Sequence, residues 1–273
     1  MFLCSTFVSA SDSNNSQLKS ENAETLNQED TVLAEIVTEE TWESESDEFQ
    51  RAEEVILMPQ GEISTPVGGP VGAREATESQ MAEAALVPDG VLLTPDQNQR
   101  RASWVYLDNS FRVYAQINDY YCGPATVQAA LNYLTGQTPG QVTIAAGCGT
   151  TTSGTYLADM KSYLNAMQNQ HTYTARYGAD GASMCNYLYT GIASYDAPSI
   201  IGLSVLAIDG WLYNSPAHFM SVYGAMSDQS SFALGDPWIK YPGSGLTDRS
   251  ASYVQPALTV EVAYSSVNLG LMY

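Results

Sequence analysis

The sequence predicts an α+β domain of about 170 residues, a size sufficient for a single hydrophobic core, preceded by an acidic segment. Residues 1–100 carry 20 acidic and 4 basic side chains, a net charge of −16, whereas residues 101–273 carry 10 acidic and 6 basic ones, a net charge of −4. All 18 Tyr and three of the four Trp lie after residue 100. In that part, three segments with helical periodicity come before segments with strand-like alternation. This order of helices before strands agrees with the α+β class.

The acidic segment, residues 11–100, is expected to be largely disordered, because it has too few aromatic residues to bury enough apolar surface. Two Pro-Asp turns and the only Arg-Arg pair, Arg100–Arg101, mark its boundary with the domain, residues 101–273. The pair is either a processing site that releases an acidic propeptide or the solvated end of a linker. If a propeptide inhibits the domain, apolar stretches such as Met81–Leu93 must do so, because its charge does not complement a mildly acidic domain.

The first ten residues are apolar and end in small side chains, which resembles the tail of a secretory signal peptide. No basic residue precedes them and the apolar run is short. We therefore expect that the true start lies upstream of Met1 and that these residues are the end of a signal peptide; an ordinary chain terminus is the alternative. The protein is thus expected to be secreted, either extracellular or on a bacterial cell surface. No run reaches the roughly 20 apolar residues of a membrane span. The net charge of −20 argues against a nucleic-acid partner.

A thiol at the start of a predicted helix is the strongest functional signal in the chain. Pro124 suits the first turn of a helix, so the helix should begin at about Cys122 and end near Gly136. Its apolar face consists of Val127, Ala130, Leu131 and Leu134. The positive end of a helix stabilises a thiolate. Gln116 lies six residues upstream of Cys122, so the loop between them can aim its amide at an oxyanion beside the Cys122 N–H. Alternatively, Cys122 is a core or disulfide cysteine and Gln116 a surface residue.

Two further helices and a strand follow. We expect a helix capped near Thr152 or Ser153, with Leu157, Met160, Leu164 and Met167 on one face. Another helix should run from about Gly181 to Ser194 behind Asp180 as its cap, and Pro198 should open an apolar strand.

A predicted hairpin brings a histidine and an aspartate together. In the first strand, side-chain character alternates from His218 onward, and in the second it alternates up to Asp236. The turn between them is MSDQS. A hairpin centred on Ser227 places Met220 opposite Leu234 and His218 opposite Asp236. Directly opposed side chains have Cβ atoms about 5 Å apart, close enough for the carboxylate to orient the imidazole. A register slip of one residue would put the two side chains on opposite faces of the sheet.

These residues form the set that thiol-dependent acyl transfer requires. The chain has two histidines, and we interpret His171 as a surface residue because no carboxylate lies at a useful spacing from it. Cys122 is then the nucleophile, His218 the base and Asp236 the residue that orients the base. No cofactor is expected, and a zinc site is not predicted because the histidines are far apart and there is no CxxC pair.

The pattern Gln-x5-Cys-Gly, a His on a strand and a following Asp-Pro resembles the bacteriocin-processing cysteine peptidase-like family, a papain-like group. The likeness is to its secreted single-domain relatives with a Tyr-Tyr-Cys-Gly-Pro-Ala segment, and it covers roughly residues 105–270. It implies a papain-like α+β fold, with Cys122 as nucleophile, His218 as base, Asp236 as its partner and Gln116 in the oxyanion hole. Members that cut double-glycine leaders are usually fused to an ABC exporter, which this sequence does not contain, so a leader substrate is not carried over.

The predicted function is therefore hydrolysis of peptide bonds in a peptide or protein substrate by a cysteine peptidase. Two alternatives are a non-catalytic binding or surface module on the same fold, and an acyltransferase or amidase that uses the same thiol. Loss of Cys4 with a signal peptide would leave Cys148 and Cys185 to form a disulfide in an oxidising compartment; the alternative is that both are reduced core residues. Aromatic residues near the His-Asp strands either line a groove or belong to the core: Trp211, Tyr213 and Trp238.

Overall fold

The structure is a computed structural model that describes residues 67–95, 101–206, 208 and 210–273. The predicted signal peptide, the acidic segment up to residue 66 and Arg100 lie outside the described residues. None of the helices in the described ranges is both long and apolar enough to cross a membrane.

The described elements are short strands and six helices. The strands are β1 Val67–Gly68, β2 Ala73–Arg74, β3 Trp104–Tyr106, β4 Thr155–Tyr156, β5 Ala175–Arg176, β6 Ser199–Leu203, β7 Tyr213–Asn214, β8 His218–Met226, β9 Ser231–Gly235, β10 Ser252–Pro256 and β11 Leu271–Met272. The helices are α1 Glu78–Leu86, α2 Cys122–Thr135, α3 Gln141–Gly147, α4 Leu157–Met167, α5 Gly181–Ala193 and α6 Ala257–Ser265, with a 3-10 turn at Pro242–Ser244.

One antiparallel sheet forms the centre of the domain. Its strands follow the order β10-β9-β8-β6-β11-β5, and β3 pairs with the second half of β8. Neighbouring residues within a strand belong to different hydrophobic clusters, as Phe219 and Met220 of β8 do. The cluster around Phe219 contains α2, α3 and α4, whereas the cluster around Met220 contains α5 and α6. The sheet is thus covered by helices on both faces, and the predicted α+β class is confirmed.

The helix that carries the thiol forms where it was predicted. It starts at Cys122 and ends at Thr135, followed by Gly136 in the left-handed conformation with φ 70°. Asp180 caps α5 as expected, because its side chain accepts from the Ser183 N–H at 2.7 Å. Ten consecutive residues of α2, from 122 to 131, are buried. The helix is therefore fixed along one side of the sheet with its first residue at the end of β8.

The predicted cap of α4 is wrong. The helix starts only at Leu157 and has no side-chain cap. Thr151 and Gly154 instead bond to each other through both backbone groups, and Gly154 has φ 91°. Thr155–Tyr156 then pairs with β2. The loop is closed by backbone bonds, so its threonines and serine are not needed as caps.

The predicted hairpin register is also wrong. Val222, not Met220, lies opposite Leu234, and a β-bulge follows Val222. The hairpin turn lies later in the chain than predicted, which shifts the register by two residues. A shift of two keeps every side chain on its face of the sheet. His218 and Asp236 are therefore diagonal neighbours on one face.

Residues 67–95 are folded onto the domain, which corrects the expectation of disorder for this part of the acidic segment. Arg176 donates to the Asp89 carboxylate at 2.7 Å, and Tyr187 donates to the same carboxylate at 3.0 Å. The Leu93 N–H donates to Thr190 Oγ1 at 2.9 Å. Helix α1 buries none of its residues. Composition does not predict that this segment is ordered, because polar and backbone contacts hold it and it buries little apolar surface.

Candidate active site

Cys122 is fully buried at the first residue of α2. Its Sγ lies 3.5 Å from the Phe219 N, and that N–H, on β8, points at the sulfur. The start of a helix leaves backbone N–H groups without intrahelical partners and carries a partial positive charge. Both features stabilise a negative charge on the sulfur, which suits a nucleophilic thiolate.

His218 and Asp236 form a buried pair beside this thiol. The His218 Nε2 lies 2.9 Å from Asp236 Oδ1, and neither side chain is exposed. His218 is the first residue of β8, next to Phe219, whose N–H contacts Cys122. The structure thus brings Cys122, His218 and Asp236 together at one end of β8.

Asp236 is held by three further donors. Its Oδ1 also accepts from the Trp238 N–H at 2.9 Å. Its Oδ2 accepts from the hydroxyls of Tyr213 at 2.7 Å and Tyr253 at 2.9 Å. Burial, and then the nearby carboxylate, raise the pKa of both tyrosines, so they remain protonated donors. The buried carboxylate is thereby hydrogen-bonded on both oxygens.

The two tyrosines are functional candidates that the sequence did not identify. The sequence marks Tyr213 only as a groove or core residue and does not single out Tyr253. They lie 23 and 17 positions from Asp236 and belong to different strands, β7 and β10. No spacing rule connects them to Asp236, because only the tertiary fold brings the three side chains together.

The electrostatics favour a charged imidazole. Burial alone would lower the pKa of His218, but the Asp236 carboxylate and the Cys122 thiol outweigh it and raise the pKa to about 9. The Nε2 is occupied by Asp236. The Nδ1 is buried without a hydrogen-bond partner in the described part of the chain. It is therefore the nitrogen left to exchange a proton with Cys122.

Gln116 is buried close to this cluster, and its side-chain amide is bonded to the neighbouring loop. Its backbone N–H donates at 3.0 Å to the carbonyl of Pro237, the residue after Asp236. Its Nε2 donates to the Asn118 carbonyl at 2.6 Å, and its Oε1 has no partner among the described residues. Its role as an oxyanion donor stays a prediction, and the second hydrogen of Nε2 is the one available for it.

The predicted disulfide is wrong. Cys148 and Cys185 are both free thiols. Cys148 packs in the cluster of α2 and α4, whereas Cys185 packs against the cluster on the opposite face of the sheet. The sheet therefore separates the two sulfurs. Burial raises the pKa of Cys148 to about 12 and that of Cys185 to about 11, so both are poor nucleophiles at neutral pH.

The other residues singled out in the sequence lie outside the Cys122–His218–Asp236 site or in the core. His171 is partly buried rather than a surface residue, and its ring packs edge-on against Tyr173 with centroids 4.6 Å apart. The aromatic residues considered for a groove are buried in the core: Trp211, Tyr213 and Trp238. Within the described ranges, no group of three His, Cys, Asp or Glu side chains is arranged to bind a metal ion.

Comparison with known families places the chain in a group. A sequence model of the Peptidase_C39 like family matches residues 109–255, more than half of the 273 residues. The chain belongs to this family. The matched range includes Gln116, Cys122, His218 and Asp236. The Peptidase_C39 like family consists of cysteine peptidases, so the predicted enzyme class and the family resemblance are confirmed.

Three solved structures are similar to this member of the Peptidase_C39 like family. The peptidase domain of the Streptococcus ABC transporter ComA is 16% identical over 60% of this chain and 96% of that chain, with a TM-score of 0.40. A C39-like peptidase from Bacillus anthracis is 15% identical over 62% of this chain and 96% of that chain, with a TM-score of 0.45. A double glycine motif protease from an AMS/PCAT transporter, in complex with the leader peptide, is 14% identical over 66% of this chain and 95% of that chain, with a TM-score of 0.39. With TM-scores below 0.5, these likenesses carry no argument about the site. Among curated proteins, the search found no match.

Proposed function

We propose that the chain hydrolyses peptide bonds, with Cys122 as nucleophile, His218 as general base and acid, and Asp236 as the residue that orients His218. The observation that carries the proposal is the buried His218–Asp236 pair at 2.9 Å beside a thiol at a helix start. A histidine serving only as a core residue would not need a fully buried carboxylate with four donors around it. The geometry matches the nucleophile, base and orienter of covalent catalysis.

The reaction starts from a thiolate–imidazolium pair, in which the Cys122 thiol proton has passed to His218 Nδ1. The thiolate then attacks the carbonyl carbon of a peptide bond, and the carbonyl oxygen becomes an oxyanion. The Cys122 N–H and the Gln116 amide donate to that oxyanion. His218 gives its proton to the leaving amine, which leaves a thioester on Cys122.

Water completes the cycle. His218 removes a proton from a water molecule, the resulting hydroxide attacks the thioester, and the carboxylic acid product leaves as Cys122 recovers its proton. Asp236 accepts from Nε2 throughout. It therefore keeps the tautomer that leaves Nδ1 facing the sulfur and stabilises the imidazolium formed in each half-reaction.

The direct test is product analysis. The full chain and its Cys122→Ala variant are incubated with a diverse pool of synthetic peptides in oxygen-18 water, and new termini are identified by mass spectrometry. We expect new carboxyl termini that contain one heavy oxygen, in the parent only. Products that appear equally with Cys122→Ala contradict the proposal. Products joined to an added amine, without heavy oxygen, indicate an acyltransferase instead of a hydrolase.

A further inference from the structure

Residues 67–74, here called the strap, pass directly over the thiol. A Cβ placed on Gly72 would lie 2.5 Å from Cys122 Sγ and 2.8 Å from the Tyr120 carbonyl oxygen. Ala73 packs in the same hydrophobic cluster as Cys122. The backbone of the strap therefore occupies the space that a substrate needs in order to reach the sulfur.

One side of the strap is bonded to the segment that leads into His218. The strap begins as β1, which pairs in parallel with β7, and the Gly69 N–H donates to the Asn214 carbonyl at 2.6 Å. The Ser215 hydroxyl donates to the Pro70 carbonyl. The Ala73 N–H donates at 3.3 Å to the carbonyl of Ala217, the residue before His218. The strap thus adds a strand along this edge.

The other side of the strap is bonded to the loops around the thiol. The Val71 N–H donates to the Asp119 carbonyl at 3.2 Å, and the Thr155 N–H donates to the Gly72 carbonyl at 2.9 Å. The strap ends as β2, which pairs in parallel with β4. Arg74 stacks on the ring of Tyr156 with 3.9 Å between its guanidinium carbon and the ring centroid.

These contacts are the ones that bind an extended peptide. Backbone groups of both walls bond an extended segment, as in recognition by added strands. Glycine fits at two points where the walls are closest: a Cβ on Gly69 would lie 2.5 Å from the Asn214 carbonyl oxygen, and one on Gly72 would contact the sulfur. A Cβ on Gly68 would meet nothing within 4 Å.

We infer that the channel between residues 214–217 on one side and Asp119 and Thr155 on the other is the peptide-binding groove of this site. The strap is its intramolecular occupant and blocks it. This inference rests on the proposed function. Substrate enters only when residues 67–74 leave the groove. Inhibition therefore comes from the strap, and not from Met81–Leu93, the stretch that apolar composition favoured.

The strap is bound as an inhibitor and not as a substrate. The carbonyl of Gly72, the strap residue that faces the sulfur, accepts from the Thr155 N–H. The carbonyl next to the nucleophile is thus held by the Thr155 N–H, a group outside the proposed oxyanion hole.

The segment after the strap keeps it close to the groove. The Ala76 N–H donates to the Asn268 carbonyl at 2.9 Å, and Arg176 binds both Asp89 and the Val87 carbonyl. Residues 76–93 can therefore stay attached while the strap opens and closes. Tethering of this kind keeps the effective concentration of the strap high.

The test is the rate at which iodoacetamide modifies Cys122 in the full chain, with each modified cysteine located by mass spectrometry. Gly69→Ala and Gly72→Ala place a methyl group against the groove walls, whereas Gly68→Ala places the same group in open space. We expect Cys122 to react about tenfold faster in both of the first two variants, the change produced by loss of roughly one hydrogen bond from the closed state. Gly69→Ala acts away from the sulfur, because its methyl group meets the Asn214 carbonyl oxygen and the Tyr213 ring, each at 2.5 Å.

Cys148 is the internal reference for unfolding, because it is buried in the helical layer. Faster modification of Cys122 with unchanged modification of Cys148 supports the strap. Equal Cys122 rates in the parent and all three variants overturn it. The variants are compared at one pH, so differences in rate report the access of iodoacetamide to Cys122. The comparison is therefore valid even if Cys122 is an ordinary thiol. Loss of the proposed function would show separately, as failure of all variants to cleave the peptide pool.

Discussion

The Nε2 of His218 lies 2.9 Å from Oδ1 of Asp236, with both side chains withdrawn from solvent. Two buried groups of opposite charge stabilise each other strongly only when their remaining polar atoms are also bonded. Three further donors around Asp236 meet that requirement for the carboxylate. The pair is therefore able to keep a charge on the imidazole inside the protein.

The first prediction concerns the pH dependence of stability. The pKa of His218 is raised to about 9 from an ordinary value of 6.5, so its contribution to the free energy of unfolding is complete below pH 6.5 and is lost as the pH rises through about 9. Because a tenfold change in proton affinity corresponds to about 1.4 kcal/mol, the loss is on the order of 3 kcal/mol. Urea unfolding of the parent and of His218→Gln, from mildly acidic to alkaline pH, measures it. Parallel pH profiles for the two proteins would refute the raised pKa.

A second prediction concerns the tyrosines that bond Asp236. Tyr213→Phe and Tyr253→Phe each remove one hydrogen bond to a buried carboxylate, which should lower the free energy of unfolding by about 1.5–3 kcal/mol. Tyr106→Phe is the matched control, because the Tyr106 hydroxyl is buried without a partner in the described part of the chain. Denaturant unfolding compares the three variants. A loss in Tyr106→Phe as large as in the other two would show that the hydroxyls act only through packing.

The third prediction concerns Gln116. Gln116→Ala should lower kcat by about 10² to 10³ with a smaller effect on KM, because the amide acts on the oxyanion and not on the bound substrate. Gln128 provides a control: it is also a buried glutamine, and its Nε2 donates to the Pro139 carbonyl at 3.0 Å. Kinetics on a peptide cleaved by the parent chain separate the two variants. If Gln128→Ala loses as much kcat, the effect of Gln116→Ala is structural.

A fourth prediction concerns the free thiols. Since Cys148 and Cys185 are not joined, a reducing agent should leave the urea midpoint of the full chain unchanged. A disulfide would contribute about 2–4 kcal/mol that reduction removes. Alkylation in denaturant without a reductant should modify both cysteines completely. Recovery of a peptide in which the two are linked would contradict the structure.

The sequence predicts the local features of this site well. Pro124 and the apolar spacing of α2 locate the helix start at Cys122, and Asp180 locates the start of α5, because caps and periodicity are properties of neighbouring residues. His218 and Asp236 were predicted to share a face even though the register was wrong by two. Parity survives such an error, because side chains alternate with a period of two.

The missing features depend on contacts between distant residues. Tyr213 and Tyr253 reach Asp236 only after β7 and β10 have been placed. The strap lies in a segment whose composition indicates disorder, and it is held by backbone hydrogen bonds that composition does not report. The free state of Cys148 and Cys185 depends on which face of the sheet each one occupies. Local pattern contains none of this information.

The most direct test of the central claim is the pH dependence of Cys122 alkylation by iodoacetamide in the full chain and in its His218→Ala variant. If Cys122 and His218 form a thiolate–imidazolium pair, alkylation of the parent persists well below the free-thiol pKa of about 8.5 and the variant loses that reactivity at acidic pH. The strap lowers the parent's rate at every pH and leaves this contrast intact. Alkylation confined to alkaline pH and equal in both proteins would contradict the account, because Cys122 would then be an ordinary buried thiol.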